Sequence, residues 1–219
     1  LLYLFDVHPN HRDVRELCKD DPILEELVHR IGRIQIPRQS DGFTYIVRTL
    51  VGQQLSIKAA ATIYQRLEQI CGTITPDTVL TASEESLRSA GLSRNKLSYL
   101  LNLAEQTKLG ALNFELLANM NDEEVIRQLT LIKGVGRWTA EMFLIFYFGR
   151  ANILSFGDLG LKRASEWLYA EETSDGPSVL QRKQEVWGPH STIASLYLWE
   201  AINIGLLQSG PFRTPLREV

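Results

Sequence analysis

Cysteine is scarce: Cys18 and Cys71 are the only two in 219 residues. That is too few for a disulfide scaffold, a four-cysteine zinc site or an iron-sulfur cluster within the chain, and it fits a reducing, intracellular setting. Long apolar runs are missing as well. The opening run from Leu1 to Phe5 is broken by Asp6 and His8, well short of the ~18 residues that a membrane span needs. Positive charge is not in excess either: 23 Lys and Arg stand against 26 Asp and Glu, a formal net charge of −3 with a pI near 5.9. This excludes coating of nucleic acid through a general positive field, so any DNA-binding charge must be local. Alternation of apolar and polar residues over strand-length stretches is nearly absent, as are solenoid repeats and low-complexity tracts.

What remains is ordinary globular composition, 44% hydrophobic and 22% charged, in a chain long enough to bury a core. Helix start and stop signals recur at short intervals. Asp21-Pro22 reads as an N-cap followed by proline at the first helical position, and the stripe Ile23, Leu24, Leu27, Val28, Ile31 ends at Gly32. Asp41 precedes a second stripe closed by Gly52, and Ser56 caps a third helix that stops at Gly72. Thr75-Pro76, Ser83 and Ser93 open three more, and Asn121 with Glu124 forms a capping box. Arg137 to Phe148 is apolar nearly all round, which predicts a central buried helix ended by Gly149. Helices follow over 161 to 169 and 191 to 204, with the polar stretch Glu171 to Ser178 between them read as a surface loop. The fold class is all-α.

The segment Leu129-Thr130-Leu131-Ile132-Lys133-Gly134-Val135-Gly136-Arg137-Trp138-Thr139 places Gly-x-Gly between two helices. Two glycines so spaced let the chain turn sharply and bare the amides at the next helix's positive end to a phosphate, with Lys133 and Arg137 beside them. Taken alone, Gly-x-Gly reads equally as a tight turn between two helices with capping glycines.

The longer string resembles the helix-hairpin-helix of the DNA glycosylase superfamily that includes endonuclease III, the adenine-mismatch glycosylases and the alkylation-repair 3-methyladenine glycosylases. Leu50 to Ala60 resembles that family's early helix-loop-helix signature, and Ser155-Phe156-Gly157-Asp158-Leu159-Gly160-Leu161-Lys162 its catalytic segment. Trp187-Gly188-Pro189-His190-Ser191, with Ala194 and Tyr197-Leu198-Trp199, resembles the closing helix of the alkylpurine branch. The resemblance implies one two-lobed helical unit over 1 to 219, with the hairpin at about 124 to 148 and no N-terminal β domain. The terminal segments would form one lobe and the middle helices the other. It further implies a monofunctional glycosylase acting on alkylated purines in double-stranded DNA, expected to be an intracellular monomer that needs no cofactor.

In that family context Asp158 is the expected catalytic carboxylate, although Gly-Asp before an apolar helical pattern also reads as a plain N-cap. A helix N-terminus favours negative charge, so the two roles are compatible. Trp138 and Trp199 are expected to stack on an electron-poor flipped base, with Met142 and Gln53 also against the substrate; buried core positions are the alternative for the tryptophans and for Met142. Gln54 matches the side chain that relatives insert into the hole left by the flipped base, or else is a solvated loop residue. DNA contacts are expected at Lys133, Gly134, Gly136, Arg137 and Thr139, and a monovalent cation at the carbonyls of Thr130, Ile132 and Val135. Bifunctional relatives carry a Schiff-base lysine where this chain has Trp138, so no strand nicking is expected. Two other classes stay open: a non-catalytic helix-hairpin-helix DNA-binding protein, and a helical bundle with no DNA role. The lesion is open among 3-methyladenine, 7-methylguanine, etheno adducts, hypoxanthine and 1-methyladenine.

Overall fold

A computed structural model describes residues 2 to 170 and 177 to 212, which divide into two compact units: Leu1–Arg38 with Gly149–Val219, and Gln39–Phe148. The first unit opens with strand β1 (Tyr3–Val7), then helices α1 (Arg12–Cys18) and α2 (Pro22–Ile31), then strand β2 (Ile34–Pro37). The two strands pair antiparallel, Phe5 opposite Ile36 and Val7 opposite Ile34, with an irregularity between Tyr3 and Phe5. This pair is a small addition to a fold that is otherwise helical among the described residues. Arg33, just before β2, clasps Asp6 of β1 with two hydrogen bonds of 2.7 and 2.6 Å.

The second unit holds α3 (Gly42–Gly52), α4 (Ile57–Cys71), α5 (Pro76–Thr81), α6 (Glu84–Ser89), α7 (Arg94–Lys108), α8 (Phe114–Ala118), α9 (Asp122–Leu129) and α10 (Arg137–Phe143). The N-caps Asp41, Ser56, Thr75, Ser83, Ser93 and Asn121 each accept a main-chain N–H from the first turn, which is why these boundaries are sharp. The expected helix from Arg137 to Phe148 is α-helical only to Phe143 and then widens to a π turn over Leu144–Phe148. Phe143 stacks on Tyr147 at 4.6 Å and meets Phe148 edge-on at 5.0 Å, so the wider turn gathers aromatic rings four and five residues apart. Residues 139 to 145 are buried as expected, but 146 to 148 are only half-buried.

The chain re-enters the first unit with α11 (Leu159–Tyr169), α12 (Val179–Trp187) and α13 (Ser191–Asn203). Ser178 caps α12, and residues 171 to 176 of the expected surface loop lie outside the described residues. The unit's core is pinned by a fully buried carboxylate. Asp21 accepts Leu24 N–H at 3.1 Å, Tyr169 Oη at 2.6 Å, Lys183 Nζ at 2.9 Å and Trp187 Nε1 at 3.0 Å. Burial alone would raise its pKa, but these four hydrogen bonds outweigh it and hold the carboxyl below its ordinary value. Trp187, quoted above as part of a family signature, is thus a buried donor to this hub.

Candidate active site and nucleic-acid interface

Of the expected site residues, Asp158 and Trp199 belong to the first unit and the others to the second. Asp158 is the N-cap of α11, with Oδ1 accepting Leu161 N–H at 2.8 Å, its own N–H donating to Ser155 O at 3.1 Å, and 8% of its surface exposed. A carboxylate held this way has a fixed position and little contact with bulk water. A methyl on Gly160 would lie 3.0 Å from Asp158 Oδ1 and 3.3 Å from Ile202 Cδ1, so the missing side chain leaves the carboxylate its room. Phe156 and Leu159, on either side of Asp158 in sequence, are exposed apolar residues. Trp199 is half-buried on α13, a helix whose first eight residues are all buried.

In the second unit the Gly-x-Gly turn joins α9 to α10. Gly134 has φ +83°, the left-handed region, and a Cβ there would come within 2.6 Å of Tyr99 Cγ. Gly136 has φ −88° with nothing within 4 Å of a Cβ, and it caps α10 without any side-chain hydrogen bond. The first-turn N–H groups of α10 therefore lack the side-chain cap that most other helices here possess, which suits them to an outside anion. Lys133 is exposed, and its N–H donates to Asn102 Oδ1 at 3.0 Å.

Arg137 does not present an unopposed charge. Its Nη1 donates to Glu123 at 3.1 Å and its Nε to Glu141 at 3.0 Å, two carboxylates that offset it locally. Thr139, also expected at the DNA, is 5% exposed. Trp138 is the outward aromatic of α10 at 44% exposure, against the core alternative for it. Met142 is 6% exposed and its carbonyl accepts Tyr45 Oη at 3.2 Å, in keeping with the core alternative. Burial pushes the Tyr45 hydroxyl up to about 12, so it serves as a neutral donor.

Gln53 and Gln54 follow α3. Gln54 is exposed at φ +57°, one of two non-glycine residues with positive φ among those described. Gln53 donates its side-chain amide to Gly134 O at 3.0 Å, tying its loop to the hairpin rather than holding the amide out for a base. Ile132 O accepts Val135 N–H at 3.0 Å, so one of the three carbonyls expected to hold a cation already closes the turn. Among the described residues no cluster of His, Cys, Asp and Glu suits a metal ion, and no helix is long and apolar enough to cross a membrane. Sequence reasoning missed Lys96, Tyr99 and Asn102 of α7, which touch both loops; their three-residue spacing was the available signal.

The HhH-GPD superfamily base excision DNA repair protein model matches residues 47–190. The DNA-3-methyladenine glycosylase 1 of Schizosaccharomyces pombe is 30% identical over 183 residues, covering 80% of each chain. Among solved structures, a DNA-3-methyladenine glycosidase from Bacillus halodurans superposes with a TM-score of 0.84 at 36% identity, over 94% of this chain and 96% of that one. The S. pombe 3-methyladenine DNA glycosylase in complex with abasic DNA gives 0.69 at 28% identity, over 90% and 94%. This chain belongs to the HhH-GPD superfamily of base excision DNA repair proteins.

Proposed function

We propose that the chain is a monofunctional DNA glycosylase that excises alkylated purines of the 3-methyladenine and 7-methylguanine type from double-stranded DNA. The observation that carries the proposal is the buried, capped carboxylate of Asp158, which lies inside the family-matched span. As the bond between C1′ and the base breaks, its electron pair leaves with the purine and the sugar becomes cationic. Asp158 offsets that charge and accepts a proton from the water whose oxygen adds to C1′. An N-alkylated purine is already cationic and departs neutral, so no separate general acid is required.

The base must leave the helical stack first. Trp138, exposed on α10, is assigned to a cationic purine, as is Trp199 of the other unit, and Gln54 is assigned to the vacated space beside the partner base. The α10 N–H groups with Lys133, Gly134 and Gly136 grip the strand's phosphates without reading sequence. The carbonyls of Thr130, Ile132 and Val135 are main-chain oxygens of the kind hard cations take, though Ile132 O is half committed. An ion held there would add positive charge close to a phosphate. Trp138 in place of a Schiff-base lysine supports base release without strand nicking. A monomer working wherever the cell keeps its DNA completes the reading. Methylated genomic DNA incubated with the protein should release methylpurines, identified by chromatography. Tight duplex binding with no freed base would favour a non-catalytic helix-hairpin-helix DNA-binding protein instead.

A further inference from the structure

Gln54 holds a left-handed backbone conformation that side chains other than glycine rarely adopt, so something must keep it there. The plane that decides this is the peptide between Gln53 and Gln54, whose rotation changes ψ of the first residue and φ of the second. The oxygen of that peptide, Gln53 O, accepts Lys96 Nζ at 2.6 Å, and the same ammonium donates to Val51 O at 2.8 Å. Helix α3 has no basic residue in its own last turn, so the cation that its carbonyl end favours arrives from α7. Lys96 is half-buried, and desolvation lowers its pKa.

Helix α7 reaches the hairpin as well. One turn beyond Lys96, the Tyr99 ring lies against Gly134, and one turn further Asn102 Oδ1 takes Lys133 N–H. Gln53 closes the circuit through its amide bond to Gly134 O. Three residues on one stripe of a single helix therefore fix the Gln54 loop and the glycine turn with respect to each other. We infer that Lys96 is a positioning residue: by locking the Gln53–Gln54 peptide plane, it holds Gln54 ready to enter a duplex from which a base has been flipped. The inference rests on the function proposed above.

The test is a mutant cycle on the full chain, read as affinity for a duplex carrying a tetrahydrofuran abasic analogue and for the same strand alone. K96M should weaken duplex binding about tenfold and single-strand binding less than about twofold, with K96R recovering most of the loss. Because Lys96 acts through Gln54, the K96M and Q54A double variant should bind about as well as Q54A alone. A folded K96M that binds the duplex like wild type, or losses that simply add, would overturn the inference while leaving the glycosylase reading intact. Wild type that ignores the abasic duplex would instead overturn both. Should K96M fail to fold, K96Q takes its place in the cycle, since its side chain is uncharged and shorter than that of lysine.

Discussion

The two glycines of the hairpin should respond to the same substitution in opposite ways. At Gly134, alanine must hold φ +83° and drive a methyl into the Tyr99 ring. Left-handed backbone costs ~1–2 kcal/mol for an L-residue. Overpacking against a ring already in place adds ~1–3 kcal/mol. The sum, about 2–5 kcal/mol, is a large share of the ~5–15 kcal/mol that holds a typical domain. For a chain of this length it lowers Tm by ~2–4 °C per kcal/mol. At Gly136 the backbone is ordinary and the space open, so alanine should cost no more than ~1 kcal/mol, mostly from a poorer cap. Its methyl would nevertheless stand over the uncapped N–H groups of α10 and cut duplex affinity by about tenfold. Thermal unfolding and a duplex titration on both variants read the contrast. A Gly134→Ala protein that melts with wild type, or a Gly136→Ala protein destabilised as much as Gly134→Ala, would refute this division of labour.

Two further outcomes follow from the same geometry. Asp21→Ala strands the Tyr169 and Trp187 donors in the core and leaves the part-exposed Lys183 ammonium without its partner, and should cost ~2–5 kcal/mol by chemical denaturation. Since the folded state holds this carboxyl below its ordinary value of 3.8, its contribution is full above that pH and fades as pH falls through the folded value. Asp21→Asn should therefore flatten the acid limb of the stability curve, and an unchanged limb would contradict the assignment. Borohydride added during turnover on damaged duplex should trap no covalent adduct, because Trp138 cannot form an imine; an efficient adduct would contradict base release without nicking.

Helix starts were legible because capping is local: Asp21, Asp41, Ser56, Thr75, Ser83, Ser93 and Asn121 all satisfy donors within three residues. Helices α8 and α12 were missed although Asn113 and Ser178 cap them just as locally, whereas the other elements not found lacked such signals or depended on distant partners. Helix α1 has only seven residues and is capped by His11, outside the usual capping set. Strands β1 and β2 pair residues 27 or more apart, and each strand is short enough that its alternation is lost in the surrounding pattern. The π turn answers to ring packing rather than to any period.

The candidate site divides in the same way. Asp158 could be singled out because its cap and its motif lie within a few residues. Of the two carboxylates opposing Arg137, Glu141 stands at the i+4 position, a local pattern that was open to reading. Glu123, by contrast, sits 14 residues upstream and the ammonium steadying the Gln54 loop is 43 residues from the carbonyl it holds, so those two did not show locally. Gln53 was placed against the substrate by resemblance alone, whereas its amide bonds to a carbonyl 81 residues away.

The most direct test of the whole account is base release by Asp158→Asn. Asparagine retains an oxygen to accept Leu161 N–H and caps helices about as well as aspartate, so α11 and the fold should persist. The substitution removes the negative charge and exchanges the other carboxylate oxygen for an amide donor. Single-turnover release of methylpurine should fall ~100-fold or more while duplex binding is retained. Release within a few fold of wild type would show that the chemistry does not depend on Asp158, and the proposed mechanism would be wrong.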